Sequence, residues 1–243
     1  MLCGRLCLML GVLGAICAGE SGAIAADGPS ASAPVWPGQS WETREPVAVG
    51  LAAGRLHEFA QRVGGSGCIV AGGYMVFTWG DASRRADVAS AAKPWYAHFL
   101  FRALEDGRIP SLDQPVIEFE PRLAEINAAL GFKDRDITWR QMANQVSCYG
   151  VAEPPGSAYD YNDWQMALFW DCLFQRVYET TPDSVDTAVL HRLLTDPLGC
   201  EDNPTFMAFG TGDRPGRLGV SPRDFARFGL LYLRKGQWRD RTL

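Results

Sequence analysis

Apolar residues recur at helical spacing through Leu51, Leu56, Phe59, Ala60 and Val63, and Gly64-Gly65 closes the run, so an amphipathic helix is expected there. The pattern then changes. Two apolar runs, 68–71 and 74–79, flank Gly72-Gly73, the signature of a β-hairpin. Both arms are apolar at successive rather than alternate positions, as in strands covered on both faces. A two-stranded ribbon is marginal in water, so a sheet of three or more strands with helices on its faces is expected. Downstream the only further strand candidate is the short run Val116-Ile117-Glu118-Phe119.

Helical patterns dominate the rest. One runs over 95–105 and is stopped by Asp106-Gly107; another starts at Thr138, with Gln141 in the capping-box position. A third spans about 164–178. The last has Ser221 as N-cap, Pro222 at its first position, Asp224 at the capping-box site, Phe225, Phe228 and Leu231 as its apolar stripe, and Gly236 as stop. At the other end, Arg5 precedes an apolar run over 6–18, and Ala23-Ile24-Ala25 follows. This is the form of a secretory signal over 1–25, and its run is shorter than the ~20 residues a membrane span needs. Residues 26–46, rich in proline, serine and small side chains, read as an extended lead-in. A secreted or periplasmic location is the expectation, without a stable membrane span after cleavage.

Composition narrows the picture. With 47% hydrophobic and 21% charged residues the chain can bury a real core, which disfavours disorder and coiled coil. A net charge of −5 and no block of lysine and arginine argue against a nucleic-acid partner. Of seven cysteines, Cys68, Cys148, Cys172 and Cys200 lie beyond the leader. Export permits disulfides among them, but the spacing leaves all three full pairings open, and at least two read rather as buried small apolar side chains.

Two elements can carry chemistry. Ser90-Ala91-Ala92-Lys93 spaces a hydroxyl and an amine three apart, one helical turn, so that the amine can stand beside the hydroxyl. The helix that follows presents its N-terminal amides to developing negative charge. Taken alone, the tetrad also reads as a helix cap with a solvated lysine. The second element, Pro155-Gly156-Ser157-Ala158-Tyr159-Asp160-Tyr161-Asn162-Asp163-Trp164, leads a turn into a tyrosine and two short polar residues before a helix. Taken alone, Tyr161 could be a buried aromatic and Asn162 or Asp163 the cap of the next helix. Other chemistries find less support. There is no G-x-S-x-G elbow, His57, His98 and His191 lack metal-ligand spacing, and the glycine-rich run 210–216 lacks the ending of a phosphate loop and reads as a loop flanking the site.

Together these elements resemble the serine beta-lactamase and penicillin-binding-protein superfamily, especially its class C and esterase-like branch. Ala86-Asp87-Val88-Ala89-Ser90-Ala91-Ala92-Lys93 resembles its nucleophile segment, and Leu104-Glu105-Asp106-Gly107 with Leu112-Asp113-Gln114-Pro115-Val116 the helix end and L-D-x-P-V that follow. Ile137-Thr138-Trp139-Arg140-Gln141-Met142 is similar to the family's helix start, the segment from Pro155 to Asp163 to its P-G-x-x-x-x-Y-x-N/D stretch, and 221–229 to its S-x-x-D-x-A-R-F-G helix. Five motifs stand in the family's order, covering almost everything after Val47.

The resemblance implies an α/β (α+β) fold, an antiparallel sheet domain plus an all-helical domain with the site between them. Residues 47–93 would belong to the sheet domain and 94–243 would be mainly helical. It implies Ser90 as acylated nucleophile, Lys93 as its activating partner and Tyr161 as base or proton relay, with Asn162 and Asp163 supporting. An oxyanion hole would use the Ser90 backbone N–H and a second from a late strand. Neither metal nor organic cofactor is implied, and the substrate would be a small molecule or peptidoglycan-like. Asp163 stands where relatives often carry asparagine; a carboxylate there would favour a charged Lys93 and leave more of the proton transfer to Tyr161. Relatives also continue past the final helix with three strands, a further helix and a K-T-G or H-x-G motif. The expectation is thus a sequence truncated before the last strands of the sheet. It is either an exported serine hydrolase acting on an ester, amide or lactam, or a catalytically inert fragment of the same family.

Overall fold

A computed structural model describes residues 34–206 and 217–243; the leader, the first part of the lead-in and the glycine-rich run 210–216 lie outside the described residues. Helix α1 spans Ala53–Val63. Strands β1, Gly67–Ala71, and β2, Tyr74–Trp79, form the expected antiparallel hairpin, from Gly67 opposite Trp79 to Ala71 opposite Tyr74. Its turn needs glycine: Gly73 has φ +97°, and a Cβ there would come within 2.1 Å of the Val35 carbonyl oxygen.

The expectation of a sheet with three or more strands does not hold among the described residues. The hairpin is extended only by a parallel bridge from Thr43 to Met75. Its continuous apolar pattern has another cause, a bulge between Ile69 and Val70. The bulge sends Cys68, Val70 and Met75 toward the main core, while Phe77 and Trp79 meet α1 through His57 at 4.9 Å and Phe59 at 5.7 Å. Two strands are too narrow to cover a whole helix, so no residue of α1 is buried and Phe59 and Val63 stay exposed.

The short strand β3, Ala86–Asp87, runs into a 3₁₀ turn over Ala89–Ala92 and then α2, Lys93–Glu105. Pro94 sits in the first turn of α2, where its missing N–H costs nothing. Along α2, Trp95, Tyr96, Phe99, Leu100 and Ala103 are buried, and the helix forms the axis of the core. Residues Val116–Glu118, a strand candidate by composition, instead make a single 3₁₀ turn. Pro115 sets its entry, and only Pro115 forms a bridge, to Thr138. With no continuous partner strand alongside, the Val116 N–H takes one bond to the Ile137 carbonyl and the chain curls.

The capping box at Thr138 is present in both halves and starts α3, Trp139–Ala143. Helix α4, Asp163–Trp170, continues with wider π-type winding over Asp171–Val177. A second π-wound stretch, Asp186–Thr195, leads into the short α5, Asp196–Leu198. Strand β4, Gly219–Val220, returns to pair with β3. Helix α6, Pro222–Leu233, then packs on β1. The strands β5, Gln237–Trp238, and β6, Arg241–Thr242, close the described chain as a small hairpin that burial of Trp238 pins to the core.

Ser221 caps α6 as expected, accepting from the Asp224 N–H at 3.2 Å. The Asp224 side chain does not complete a capping box. It is fully buried and accepts the N–H groups of Glu201 and Asp202, both at 2.7 Å. Beside it the fully buried Arg227 donates to Glu201 and to the carbonyls of Leu198 and Gly38, so α6 holds the lead-in and the 198–202 loop together. Cys68, Cys148, Cys172 and Cys200 are all free thiols. Among the described residues no helix is long and apolar enough to cross a membrane.

Burial of His98 on α2 has a measurable consequence. Desolvation first, and the Arg102 cation second, push its pKa down to about 4. A histidine that binds fewer protons folded than unfolded contributes stability above its unfolded pKa, near 6.5, and that stability is lost as pH falls through about 4. At about 1.36 kcal/mol per pH unit the loss is roughly 3 kcal/mol. Urea denaturation at about pH 7 and about pH 4.5 should show this loss in the native sequence, and His98→Leu should flatten that part of the difference.

Candidate active site

Ser90 and Lys93 stand at the entrance to α2, and Tyr161 stands just ahead of α4. The chain folds this way for local reasons. Ser90 lies in the 3₁₀ turn that leads into α2, and Lys93 is the first residue of that helix. Tyr161 is placed by the cap of α4: Asn162 accepts the Gln165 N–H at 2.6 Å and bonds Asp160. Behind it, the Asp160 N–H reaches the Gln145 carbonyl at 2.8 Å and the Gly156 N–H reaches the Val146 carbonyl at 2.7 Å, tying the tyrosine loop to the end of α3.

The three side chains meet. Ser90 Oγ and Tyr161 Oη share a short hydrogen bond, and Lys93 Nζ donates to Tyr161 Oη at 2.8 Å. The spacing of Ser90 and Lys93 suggested direct contact between them. Instead each bonds the phenol, because a 3₁₀ turn and not α-helix links the two residues. The Lys93 hydrogen bond, followed by that of Ser90, holds the Tyr161 phenol below the usual tyrosine range. Asp163 opposes this with its negative field. It lies exposed at the first position of α4, favourable for a carboxylate at a helix N-terminus, and makes no ion pair with Lys93 among the described residues. Asn162 spends its side chain on the cap and on Asp160 and bonds none of the three, so its observed contacts are those of a helix cap.

Sequence reading missed Asp87. Its Oδ1 accepts the Ala89 N–H at 2.7 Å, and its Oδ2 receives Arg217 at 2.5 Å, across the β3–β4 pair. The Val88 N–H bonds the Leu218 carbonyl at 3.2 Å. These contacts pin a strained corner, since Ala89 has φ +46°, a left-handed conformation that costs a non-glycine residue about 1 kcal/mol. An aspartate two residues ahead of a turn amide is a recognisable Asx-turn signal and could have been read from the sequence. Arg217, distant in sequence, could not.

The fold that carries these residues resembles that of solved structures. No family model matches the sequence, and no curated protein matches it significantly. Structures do match. A protein from Bacillus anthracis described as a 6-aminohexanoate-dimer hydrolase superposes with TM-score 0.58 at 17% identity, over 77% of this chain and 58% of that one. The chain has a beta-lactamase-like fold. A protein from Bacteroides dorei DSM 17855 described as a beta-lactamase gives TM-score 0.59 at 19% identity, over 78% of this chain and 64% of that one. A class C beta-lactamase gives 0.55 at 14% identity, over 75% and 64%. The chain thus spans between 58% and 64% of the length of these beta-lactamase-fold structures.

Removing the Asp87 clamp should loosen the Ser90 corner. Asp87→Ala is expected to cost about 1 kcal/mol of stability and to lower the reactivity of the Ser90 hydroxyl. Asp87→Asn, which keeps the acceptor for the Ala89 N–H, should recover most of both, as read by thermal unfolding and by the rate of covalent labelling at Ser90.

Proposed function

We propose that this chain is a serine hydrolase that acts through an acyl-enzyme at Ser90 on an ester, amide or lactam. The observation that carries this reading is the convergence of the Ser90 hydroxyl and the Lys93 amine on the Tyr161 phenol oxygen. A serine hydroxyl is a weak nucleophile until a neighbouring group takes its proton. A phenol kept acidic by an adjacent ammonium is populated as phenolate more readily than an ordinary tyrosine and can accept that proton.

In this reading Ser90 Oγ attacks the substrate carbonyl as its proton passes to Tyr161. Tyr161 then delivers the proton to the leaving oxygen or nitrogen as the acyl bond breaks, leaving the ester on Ser90. Water, giving its proton to Tyr161, attacks that ester, and the proton returns to Ser90 as the acid departs. Lys93 stays positively charged throughout and stabilises the phenolate. The α2 N-terminus offers its partial positive charge to the tetrahedral oxyanion, and such donors are often the largest single catalytic term. Neighbours named for hydrolysis of a 6-aminohexanoate dimer and as beta-lactamases support an amide or lactam substrate; a small molecule or a peptidoglycan-like peptide fits this chemistry. The leader pattern supports export, to the periplasm or the medium.

Incubation with a fluorophosphonate or a labelled penicillin, followed by peptide mass analysis, tests the reading. The expected result is one adduct on Ser90, absent in Ser90→Ala and slowed about 10²-fold or more in Tyr161→Phe. The labelling rate should rise with pH through a midpoint below the ordinary tyrosine range. A folded sample that takes no label at Ser90 would establish the inert alternative.

A further inference from the structure

The segment that delivers Tyr161 carries a second tyrosine, Tyr159, which the acyl-transfer steps do not use. The chain runs without helix or turn from Tyr159 to Asn162, and Asn162 is extended, with φ −140° and ψ 150°. Along such a chain alternate side chains share a side. The side chains of Asp160 and Asn162 bond each other and so mark one side, which leaves the other to Tyr159 and Tyr161. At a rise of about 3.3 Å per residue, the two rings leave the chain roughly 7 Å apart.

Backbone contacts fix this arrangement on both flanks of Tyr159. The Ala158 carbonyl accepts the Cys148 thiol at 3.4 Å, and the Asp160 N–H reaches the Gln145 carbonyl at 2.8 Å. The turn that starts at Cys148 is itself held in place. Lys133 Nζ donates to the Cys148 carbonyl at 2.7 Å and to the fully buried Asp134 carboxylate at 2.8 Å, and that carboxylate accepts the Gly150 N–H at 3.2 Å. The Tyr159 ring is nevertheless 71% exposed and makes no hydrogen bond or ring contact among the described residues. Exposed apolar side chains are ordinary on a protein surface. Tyr159 differs in standing on a fastened segment beside the partner of the nucleophile, so a flat group stacking on it would find the ring already in place.

In the acyl-transfer steps Tyr161 passes its proton to the departing oxygen or nitrogen. The leaving group must therefore come to the side of the chain that Tyr161 occupies, and Tyr159 shares that side. We propose that Tyr159 is a specificity-determining residue, which stacks on the leaving group and selects esters or amides of an aromatic alcohol or amine. The inference rests on the reading of Ser90, Lys93 and Tyr161 as an acyl-transfer group and names a substrate class for it.

Benzyl acetate and butyl acetate share an acyl group and release primary alcohols of similar acidity, so comparing them isolates the ring. The unsubstituted protein should favour benzyl acetate in kcat/KM. Tyr159→Ala should lower the benzyl-to-butyl ratio about fivefold, the size of one ring contact, and Tyr159→Phe should restore it. A purely structural loss would slow both esters alike and leave the ratio where it was. The inference is overturned if Tyr159→Ala keeps the native ratio, or if Tyr159→Phe fails to restore it. Binding can be read apart from chemistry. In the Ser90→Ala protein, which cannot form the acyl-enzyme, the ring protons of benzyl acetate should broaden in the NMR spectrum, and less so once Tyr159→Ala is added. Equal broadening with and without the second substitution also overturns the inference. If the unsubstituted protein hydrolyses neither ester and takes no fluorophosphonate at Ser90, the acyl-transfer reading fails, and the broadening alone decides whether Tyr159 holds the ring.

Discussion

Aromatic packing around α2 fixes where Lys93 stands, and the geometry of the site follows from it. Trp95 stacks on Phe228 of α6 at 4.5 Å, and Phe99 meets Phe174, Tyr178 and Phe206 at between 5.7 and 6.3 Å. The Tyr178 hydroxyl donates to the Phe99 carbonyl at 2.8 Å. Each ring pair contributes about 0.5–1.5 kcal/mol beyond its burial, so the helix is held on several sides at once. Phe174 and Tyr178 lie on and just after the π-wound continuation of α4. The helix that begins beside Tyr161 is thus clamped further along to the helix that begins with Lys93. Cys172, Leu173, Phe174 and Val177 of the π stretch are all buried against the core.

A second constraint acts from the far side. Arg227 and Asp224 are buried charges, and removal of one partner from such a group leaves the other uncompensated. Because Arg227 bonds the carbonyls of Gly38 and Leu198 while Asp224 gathers the amides of Glu201 and Asp202, segments remote in sequence are ordered by one helix. The same helix covers the inner face of the hairpin through Cys68, whose thiol lies 3.4 Å from the Pro222 carbonyl.

What was legible in the sequence was local. The hairpin, the box at Thr138, the cap at Ser221 and the extent of α2 and α4 are each set by residues within a few positions of one another, and the chain adopts them. What was not legible depended on distant partners. The apolar hairpin suggested a broad sheet, but a bulge and two different helices account for its pattern. Residues 116–119 have strand composition but no strand to pair with. Asp224 sits where a capping box would use it and is drawn instead to amides more than twenty residues away. At the site, the residue types and order of Ser90, Lys93 and Tyr161 could be read, but not that both other groups bond the phenol. The pairing of Asp87 with Arg217 required the fold, because a contact across two strands so far apart in sequence has no signature in a single stretch of chain.

The four free thiols have a bearing on how this chain matures. Burial pushes the Cys68 thiol up to about 11, and it raises those of Cys172 and Cys200 as well. At neutral pH hardly any thiolate is available at these three to attack another sulfur, and attack by thiolate is how disulfides form and exchange. In the folded chain these three thiols are therefore poor partners for cross-linking, and the described residues are held together without a disulfide. Their reactivity is set by burial, so a cross-link among them has its opening before the core closes over them.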